Sequence, residues 1–459
     1  MAVGREQGLD MAQDYAPRIV DTELAELLSG LPAISLEGPR GVGKTETARR
    51  LARTRHELDR PGAVEVAASD PDRLVEGAEP ILIDEWQRWA PSWDLVRRAV
   101  DEDRRPGRFL LTGSASAPIA GAHTGAGRIV TVRMRPMSLA ERGLAEPAVS
   151  LAELLTGGRP PVSGSTEVRL GGYVEEILAG GFPGVRTAPS RTRRAELDGY
   201  LERIISREFP EQGLRVRNPA VLRRWLRAYA AATSTITSYD RIRDASSAAD
   251  GDKPARTTTR GGAHLVAGQG RAADGDKPAR TTTRPYRDIL EQLWILDPLE
   301  AWLPIGGHLS RLTVGPKHHL ADPALAARLL GVDAGALLDA RPTGPTIVRD
   351  GTLLGALFES LVTQSVRVYA QASEAATNHL RTRGGDLEVD VIVVRPDQRV
   401  VALEVKLAAS IGDRDVGHLN RLAARLGADL LDAVIVTTGR DAYRRRDGIA
   451  VVPAALLGP

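Results

Sequence analysis

The stretch AISLEGPRGVGKTETARRL, residues 33–51, decides the fold class of this chain. Its beginning, AISLEG (33–38), is a short apolar run ending on glycine, as a buried strand does where it enters a turn. Its end, extended to TETARRLARTRHEL (45–58), reads as a helix. Between them GPRGVGKT (38–45) fits G-x-x-x-x-G-K-[ST] at every fixed position. A strand, a glycine-rich turn and a helix in that order make a cradle for phosphate. Gly38, Gly41 and Gly43 let the backbone wrap an anion with its N–H groups, and Pro39, Arg40 and Val42 complete the loop. The helix N-terminus adds a favourable dipole. Lys44 carries the ammonium that reaches β- and γ-phosphates, and Thr45 a hydroxyl for Mg2+. Thr47, on the same helical turn, is counted with the nucleotide-binding residues. The expected cofactors are ATP and Mg2+.

Working outward, ILIDE (81–85) supplies a second match. Asp84 ends an apolar run, where a carboxylate can enter the magnesium shell. Glu85 follows and can orient or deprotonate the attacking water. A solvated acidic turn is the alternative, and it does not explain why two acids follow a fully apolar run. In GRFLLTGSAS (107–116), Thr112 or Ser114 can reach the γ-phosphate or the water from a neighbouring strand; an ordinary small-residue turn explains those residues equally well. Arg128, in GAGRIV, is the candidate arginine finger. GRIVTVRMRPMSLAE (127–141) reads as a strand and then a helix start. Residues 33–145 thus alternate strands with helices, an α/β pattern that predicts a parallel sheet with helices on its faces.

Composition sets the limits. The 459 residues allow two to four domains, and 42% are apolar. Aromatic residues make up 4%, so the cores must be built from Leu, Val, Ile and Ala. The absence of cysteine excludes disulfides, thiolate metal sites and cysteine nucleophiles. No apolar run reaches the about 18 residues of a membrane span, and MAVGREQGLDMAQDY lacks the apolar core of a secretion signal, so a cytoplasmic protein away from membranes is expected. A net charge of +2, from 61 basic and 59 acidic residues, says nothing about nucleic acid. The kind of basic residue says more: lysine occurs only at Lys44, Lys253, Lys277, Lys317 and Lys406. A lysine kept where arginine is the rule marks a need for a compact ammonium on a flexible stem. Lys44 and Lys406 stand in motifs with that need; Lys317 stands in none and is assigned to chance.

Residues 166–233 read mostly as helices, broken at Gly180-Gly181 and Pro183. PAVLRRWLRAYAAAT (219–233) is amphipathic, with Leu222, Trp225, Leu226 and Tyr229 on its apolar face. AADGDKPARTTTR (248–260) recurs at 272–284, a period of 24 residues. Two such units make no solenoid. A duplicated insertion extruded from the fold is expected, with a helix and a strand following it. Arginines of RRWLRAY (223–229), Arg241, Arg243 and the Thr-Arg repeat are candidate phosphate contacts, with solvated surface arginine as the alternative.

Farther on, a helix from Leu353 to Ala370 precedes strand-like runs at 387–395 and 399–407, a helix from Val416 to Leu426 and a strand at 433–438. A hairpin centred on Asp397 pairs residues whose numbers sum to 794, so Asp390 faces Glu404 and Glu388 faces Lys406 on one side of the sheet. Cβ atoms about 5 Å apart allow Asp390 and Glu404 to share Mg2+, with Lys406 beside it to orient water or stabilise charge. Glu359 is placed to complete the cluster. Two exposed cross-strand ion pairs, about 0.2–1 kcal/mol each, are the alternative.

Taken together, GPRGVGKT, ILIDEWQRWAP, LLTGSAS, GRIVTVRMRPMSLAERG, GGYVEEILAGGFPGVR, YLERIISREFPE, FESLV, EVDVIV and LEVK resemble the AAA-type ATPases of bacteria and archaea that carry a C-terminal domain of unknown function, family 4143. The resemblance covers nearly the whole chain. It implies an ATPase domain (1–145), a helical linker (146–235), a winged-helix-like segment holding the insertion (236–320) and a restriction-endonuclease-like α/β domain (321–459). It implies nucleotide binding by Lys44 and Thr45, an acidic pair at Asp84 and Glu85, Ser114 in the sensor strand, and a nuclease-like site at Glu359, Asp390, Glu404 and Lys406. Two functions follow: an ATPase coupling nucleotide state to DNA binding or processing, or a nucleotide-gated switch for a protein or DNA partner with an inactive nuclease-like domain. A homo-oligomer is a further expectation.

Overall fold

The structure is a computed structural model that describes residues 15–114, 127–214, 216, 218–247, 280–304, 315–339, 351–382 and 386–459. Most of the duplicated stretch, 248–279, lies outside the described residues.

The first sheet consists of β1 (Ala33–Glu37), β2 (Thr54–Glu57), β3 (Ile81–Asp84), β4 (Phe109–Gly113) and β5 (Ile129–Arg133). Its order is β2-β3-β4-β1-β5 with every pair parallel, the expected α/β arrangement. β1, β3 and β4 are buried at every position, which is why they read as unbroken apolar runs. Two readings are corrected. The helix after the loop ends at Leu51, and Thr54–Glu57 turns back as edge strand β2. Its sequence, TRHE, offers no alternation to read, because an edge strand keeps polar side chains half exposed. The segment after β5 enters turns instead of a helix.

Helices follow at Leu170–Ala179, Ser190–Arg203 and Pro219–Ala231. The apolar face of the last, Leu222, Trp225, Leu226 and Tyr229, is fully buried. A five-residue π turn, Ile204–Glu208, continues the second. Within 236–320 the described residues form the helices Tyr239–Ala245 and Arg280–Gln292. The strand expected after them is replaced by isolated bridges, Leu296 to Leu320 and Leu299 to Lys317.

The second sheet is mixed, which makes the C-terminal region another α/β layer. Residues 149–165 contribute β6 (Val149–Ser150) and β7 (Ser163–Ser165). The C-terminal region contributes β8 (Ala376–Arg381), β9 (Glu388–Val394), β10 (Val400–Lys406), β11 (Leu430–Thr437), β12 (Asp441–Arg444), β13 (Ala450–Pro453) and β14 (Leu457–Gly458). The seven-stranded order is β7-β12-β13-β11-β10-β9-β8, while β14 pairs with β6 separately. Residues just after the first sheet therefore complete a sheet made almost wholly from the far end of the chain.

The helix Leu353–Ala372 is the seam between the two sheets. Its Ser365 and Tyr369 hydroxyls accept from the N–H groups of Leu139 and Ala140 at 3.1 and 3.0 Å, and Gln371 donates to the Arg133 carbonyl at 2.9 Å. Beside it lies Asp297, buried and touched by Arg133 (3.0 Å) at the end of β5, by Arg135 (3.0 Å) just beyond it and by Arg367 (2.9 Å) from the helix. Burial opposes ionisation of Asp297, but three guanidiniums hold its carboxyl far below the usual range. Burial and repulsion from Arg135 also push the guanidiniums down, Arg133 to about 9 and Arg367 to about 10, so this single carboxylate balances more positive charge than its own. No helix among the described residues is long and apolar enough to cross a membrane.

Candidate active site

The nucleotide-binding residues gather at the C-terminal ends of β1, β3 and β4. Parallel pairing brings the three ends level, and β4 lies between the loop-bearing strand and the acid-bearing strand. The loop is held tightly. A Cβ on Gly38 would stand 2.1 Å from the Met134 carbonyl oxygen, and Gly41 and Gly43 have φ of 81° and 104°, a region glycine enters freely. Lys44 is 5% exposed and donates to the carbonyls of Gly38 and Pro39 at 2.8 Å each. Burial pushes its ammonium down to about 8.

Thr45 donates to Asp84 Oδ1 at 2.8 Å, and the Thr112 hydroxyl from β4 donates to the same oxygen. Burial raises Asp84, and these two hydroxyls work against that rise. Two hard oxygens, Thr45 Oγ1 and Asp84 Oδ1, thus stand together beside the loop, a donor set that suits Mg2+. Glu85 adopts φ of 54°, a turn that carries its side chain out of the strand. Gln87 donates to Glu85 Oε2 at 2.6 Å and Ser114 to the same oxygen at 3.2 Å. Thr112 and Ser114 are therefore both in the site, one on each acid.

Two expected residues stand elsewhere. The Thr47 hydroxyl is buried and taken up by the Tyr15 hydroxyl at 2.8 Å. Arg128 precedes Ile129, which pairs with Ala33 at the start of β1, so it sits about 15 Å from the loop at the opposite end of the strands. There it pairs with Asp101 at 2.7 Å, and it cannot serve as an arginine finger to its own chain's nucleotide.

The C-terminal cluster forms around a residue the sequence reading set aside. The hairpin register is the expected one, with Val400 on Val394 through Leu403 on Val391. Glu359, Glu388, Asp390, Glu404 and Lys406 line one cleft of about 1000 Å3. Lys317 enters it too, 2% exposed, its Nζ 2.8 Å from Glu359, 2.7 Å from Asp390 and 3.9 Å from Glu388. Burial opposes its charge, and the three carboxylates overcome that and hold it well above lysine's ordinary value. Burial would raise Asp390, but Lys317 and the Val405 N–H hold it down. Glu359 and Glu404 are pushed up to about 8, by burial first and then by the charge on Asp390. Glu359 rises despite touching Lys317, because burial and the charge on Asp390 outweigh that ion pair.

Residues 31–142 match the family model described as an AAA domain, residues 171–336 a domain of unknown function, DUF8612, and residues 354–457 the domain of unknown function DUF4143. The chain joins an AAA domain to a C-terminal DUF4143 domain. Two curated relatives, uncharacterized proteins of Mycobacterium bovis and Mycobacterium tuberculosis, are each 26% identical over 441 residues, 94% of this chain and 82% of theirs. Among solved structures, a Walker-type ATPase of Pyrococcus abyssi is similar at 16% identity with a TM-score of 0.35, covering 69% of this chain and 97% of that one.

The nucleotide site also has neighbours, outside the AAA match, with no sequence signal of their own. Arg18 donates to the Val42 carbonyl at 2.6 Å and the Arg135 carbonyl at 2.7 Å while pairing with Glu141 at 3.0 Å, and so clamps the loop to the end of β5. Glu208, on the π turn, is buried and raised by that burial, and it acts electrostatically on Arg40, Lys44 and Glu85. A lone arginine or glutamate among so many gives nothing to read. Lys317 did have a signal, the scarcity of lysine, but its cluster is spread over more than seventy residues. It also lies outside the DUF4143 match while standing 2.7 Å from that domain's Asp390.

Proposed function

We propose that this chain hydrolyses ATP with Mg2+ at the AAA domain and passes its nucleotide state to the cleft at the DUF4143 domain. The observation that carries the reading is the meeting of Thr45, Thr112 and Asp84 on one carboxylate oxygen beside the Gly38–Thr45 loop. In this reading Lys44 binds the β- and γ-phosphates, Thr45 and Asp84 hold Mg2+, and Glu85 orients or deprotonates the attacking water. Ser114 and Gln87 hold the Glu85 carboxylate. The metal supplies neutralisation of phosphate charge. Glu85→Gln should keep ATP binding and lose about 10²–10⁴-fold in single-turnover hydrolysis. Lys44→Ala should lose tight ATP binding. Hydrolysis by Glu85→Gln at the wild-type rate would remove Glu85 from this role.

DNA is the ligand proposed for the cleft. Arg241, Arg381 and Lys406 line it, with the first turn of the helix Leu353–Ala372 beside them; Arg381 and Lys406 also pair with Glu388 and Glu404 of the wall, at 3.0 and 2.7 Å. ATP turnover measured with and without duplex DNA separates coupling from independence. Faster turnover with DNA supports an ATPase acting on DNA. Slow turnover that DNA leaves unchanged supports a nucleotide-gated switch for a protein partner.

A further inference from the structure

We propose that Lys317 is the resident cation of the C-terminal carboxylate cluster, seated where a divalent metal would sit, so that the native cleft holds no metal of its own. Glu359 Oε1 and Asp390 Oδ1 both lie within 2.8 Å of the Lys317 Nζ, and Glu388 Oε1 stands 3.9 Å away. Oxygen atoms approach Ca2+ at about 2.3–2.6 Å and Mg2+ at about 2.0–2.1 Å. The ammonium point is therefore a few tenths of an ångström from being a metal position, and an ion cannot enter while the ammonium is there. One carboxylate oxygen of the wall is left unengaged. Glu404 Oε1 accepts from Lys406 at 2.7 Å, but its Oε2 is buried with no hydrogen-bond partner among the described residues.

Lys317 is fixed in this place by the fold. Its backbone N–H and C=O both pair with Leu299 at 2.9 Å, so the stem starts from a bridged position and leads inward. Its neighbours His318 and His319 are also buried, through hydrogen bonds to the Thr237 carbonyl and Ser360. An ion that displaced the ammonium would leave a charged lysine buried without a partner, which costs far more than an ordinary exchange of ligands. Removing the ammonium reverses the situation. Glu359 and Asp390 then face an empty point, with Glu388 a little farther off, and a divalent ion becomes the species that neutralises them. This inference does not depend on the ATPase reading, since it concerns residues remote from the loop.

Mn2+ binding to the full-length, nucleotide-free chain tests it, counted by electron paramagnetic resonance at pH 8. Each protein is compared with the same protein carrying Asp390→Asn, which subtracts ions bound elsewhere, including at Thr45 and Asp84. Wild type should show no Asp390-dependent Mn2+. Lys317→Ala should gain about one Mn2+ per chain, and that ion should vanish with Asp390→Asn. Lys317→Met, closer in volume, provides the same test should the alanine variant fold poorly by circular dichroism. Asp390-dependent Mn2+ on wild type would overturn the proposal, because the cluster would then be a native metal centre. A folded Lys317 variant that binds none would overturn it as well.

Discussion

Replacing Asp297 with asparagine should loosen the seam between the two sheets. Its carboxylate lies 2.9–3.0 Å from guanidinium nitrogens of Arg133, Arg135 and Arg367, and it is the shared counter-charge of all three. Asparagine keeps the shape and one acceptor but removes the charge. Three largely buried cations, with side chains 10–20% exposed, then face one another, with burial and repulsion already pressing Arg133 and Arg367. Loss of one partner from a buried ion pair costs about 3–5 kcal/mol, most of it from the charge left behind. With a urea slope of about 2–3 kcal/mol/M, the first unfolding transition should move down by about 1–2.5 M. Equilibrium urea unfolding followed by tryptophan fluorescence reads this directly, since Trp294 lies against Arg133. Asp101→Asn, which breaks the exposed pair with Arg128, is the control and should leave the transition in place. The carboxyl of Asp297 is depressed, so its contribution is complete above the ordinary aspartate range and is lost only as pH falls toward its folded value. The wild-type/variant difference should therefore hold constant from pH 8 to pH 5. A shift smaller than about 0.3 M at neutral pH would refute the charge-balance argument.

Two other outcomes follow from the sites. Gly38→Ala should abolish nucleotide binding, because its Cβ would stand 2.1 Å from the Met134 carbonyl and must drive the loop off β5; Gly184→Ala, with nothing within 4 Å, should leave binding unchanged. Glu404→Gln should stabilise the chain at pH 8 relative to pH 5. The Glu404 carboxyl is pushed up to about 8 by burial and Asp390, so its favourable protonated form is fully present below the ordinary glutamate value and is lost as pH rises through 8. Melting temperatures of variant and wild type across that range should converge at the acid end, and parallel curves would refute the assignment.

Local chemistry made part of this molecule legible. The loop Gly38–Thr45 and the run before Asp84 are contiguous, and their constraints are backbone constraints, so sequence carries them whole. The hairpin register was legible because strand alternation is rigid: once Asp397 is taken as the centre, Val391 must meet Leu403. What escaped was long-range. β2 is polar because it is an edge, and polarity in an edge strand looks like a helix surface. Thr47 shares a helical turn with Thr45, yet a tyrosine thirty-two residues earlier takes its hydroxyl. Arg128 is near the sensor strand in sequence, but parallel strands place their starts and ends at opposite poles. Lys317 meets Asp390 across 73 residues, through a bridge and a buried stem that no spacing rule describes.

The strands β7 and β6, each paired with a strand from the far end of the chain, set an order on the birth of the molecule. Ser163–Ser165 leaves the ribosome roughly 280 residues before Asp441–Tyr443, the partner it pairs with. At about 5–20 residues per second, that strand waits on the order of 15–55 s with its edge open. An open edge invites pairing with the wrong chain. The waiting strand is Ser-Gly-Ser, exposed at every position, which gives a stray strand little to hold. Val149, by contrast, must stay sheltered until Leu457 arrives. The AAA domain can close early, but the segment directly behind it is finished last.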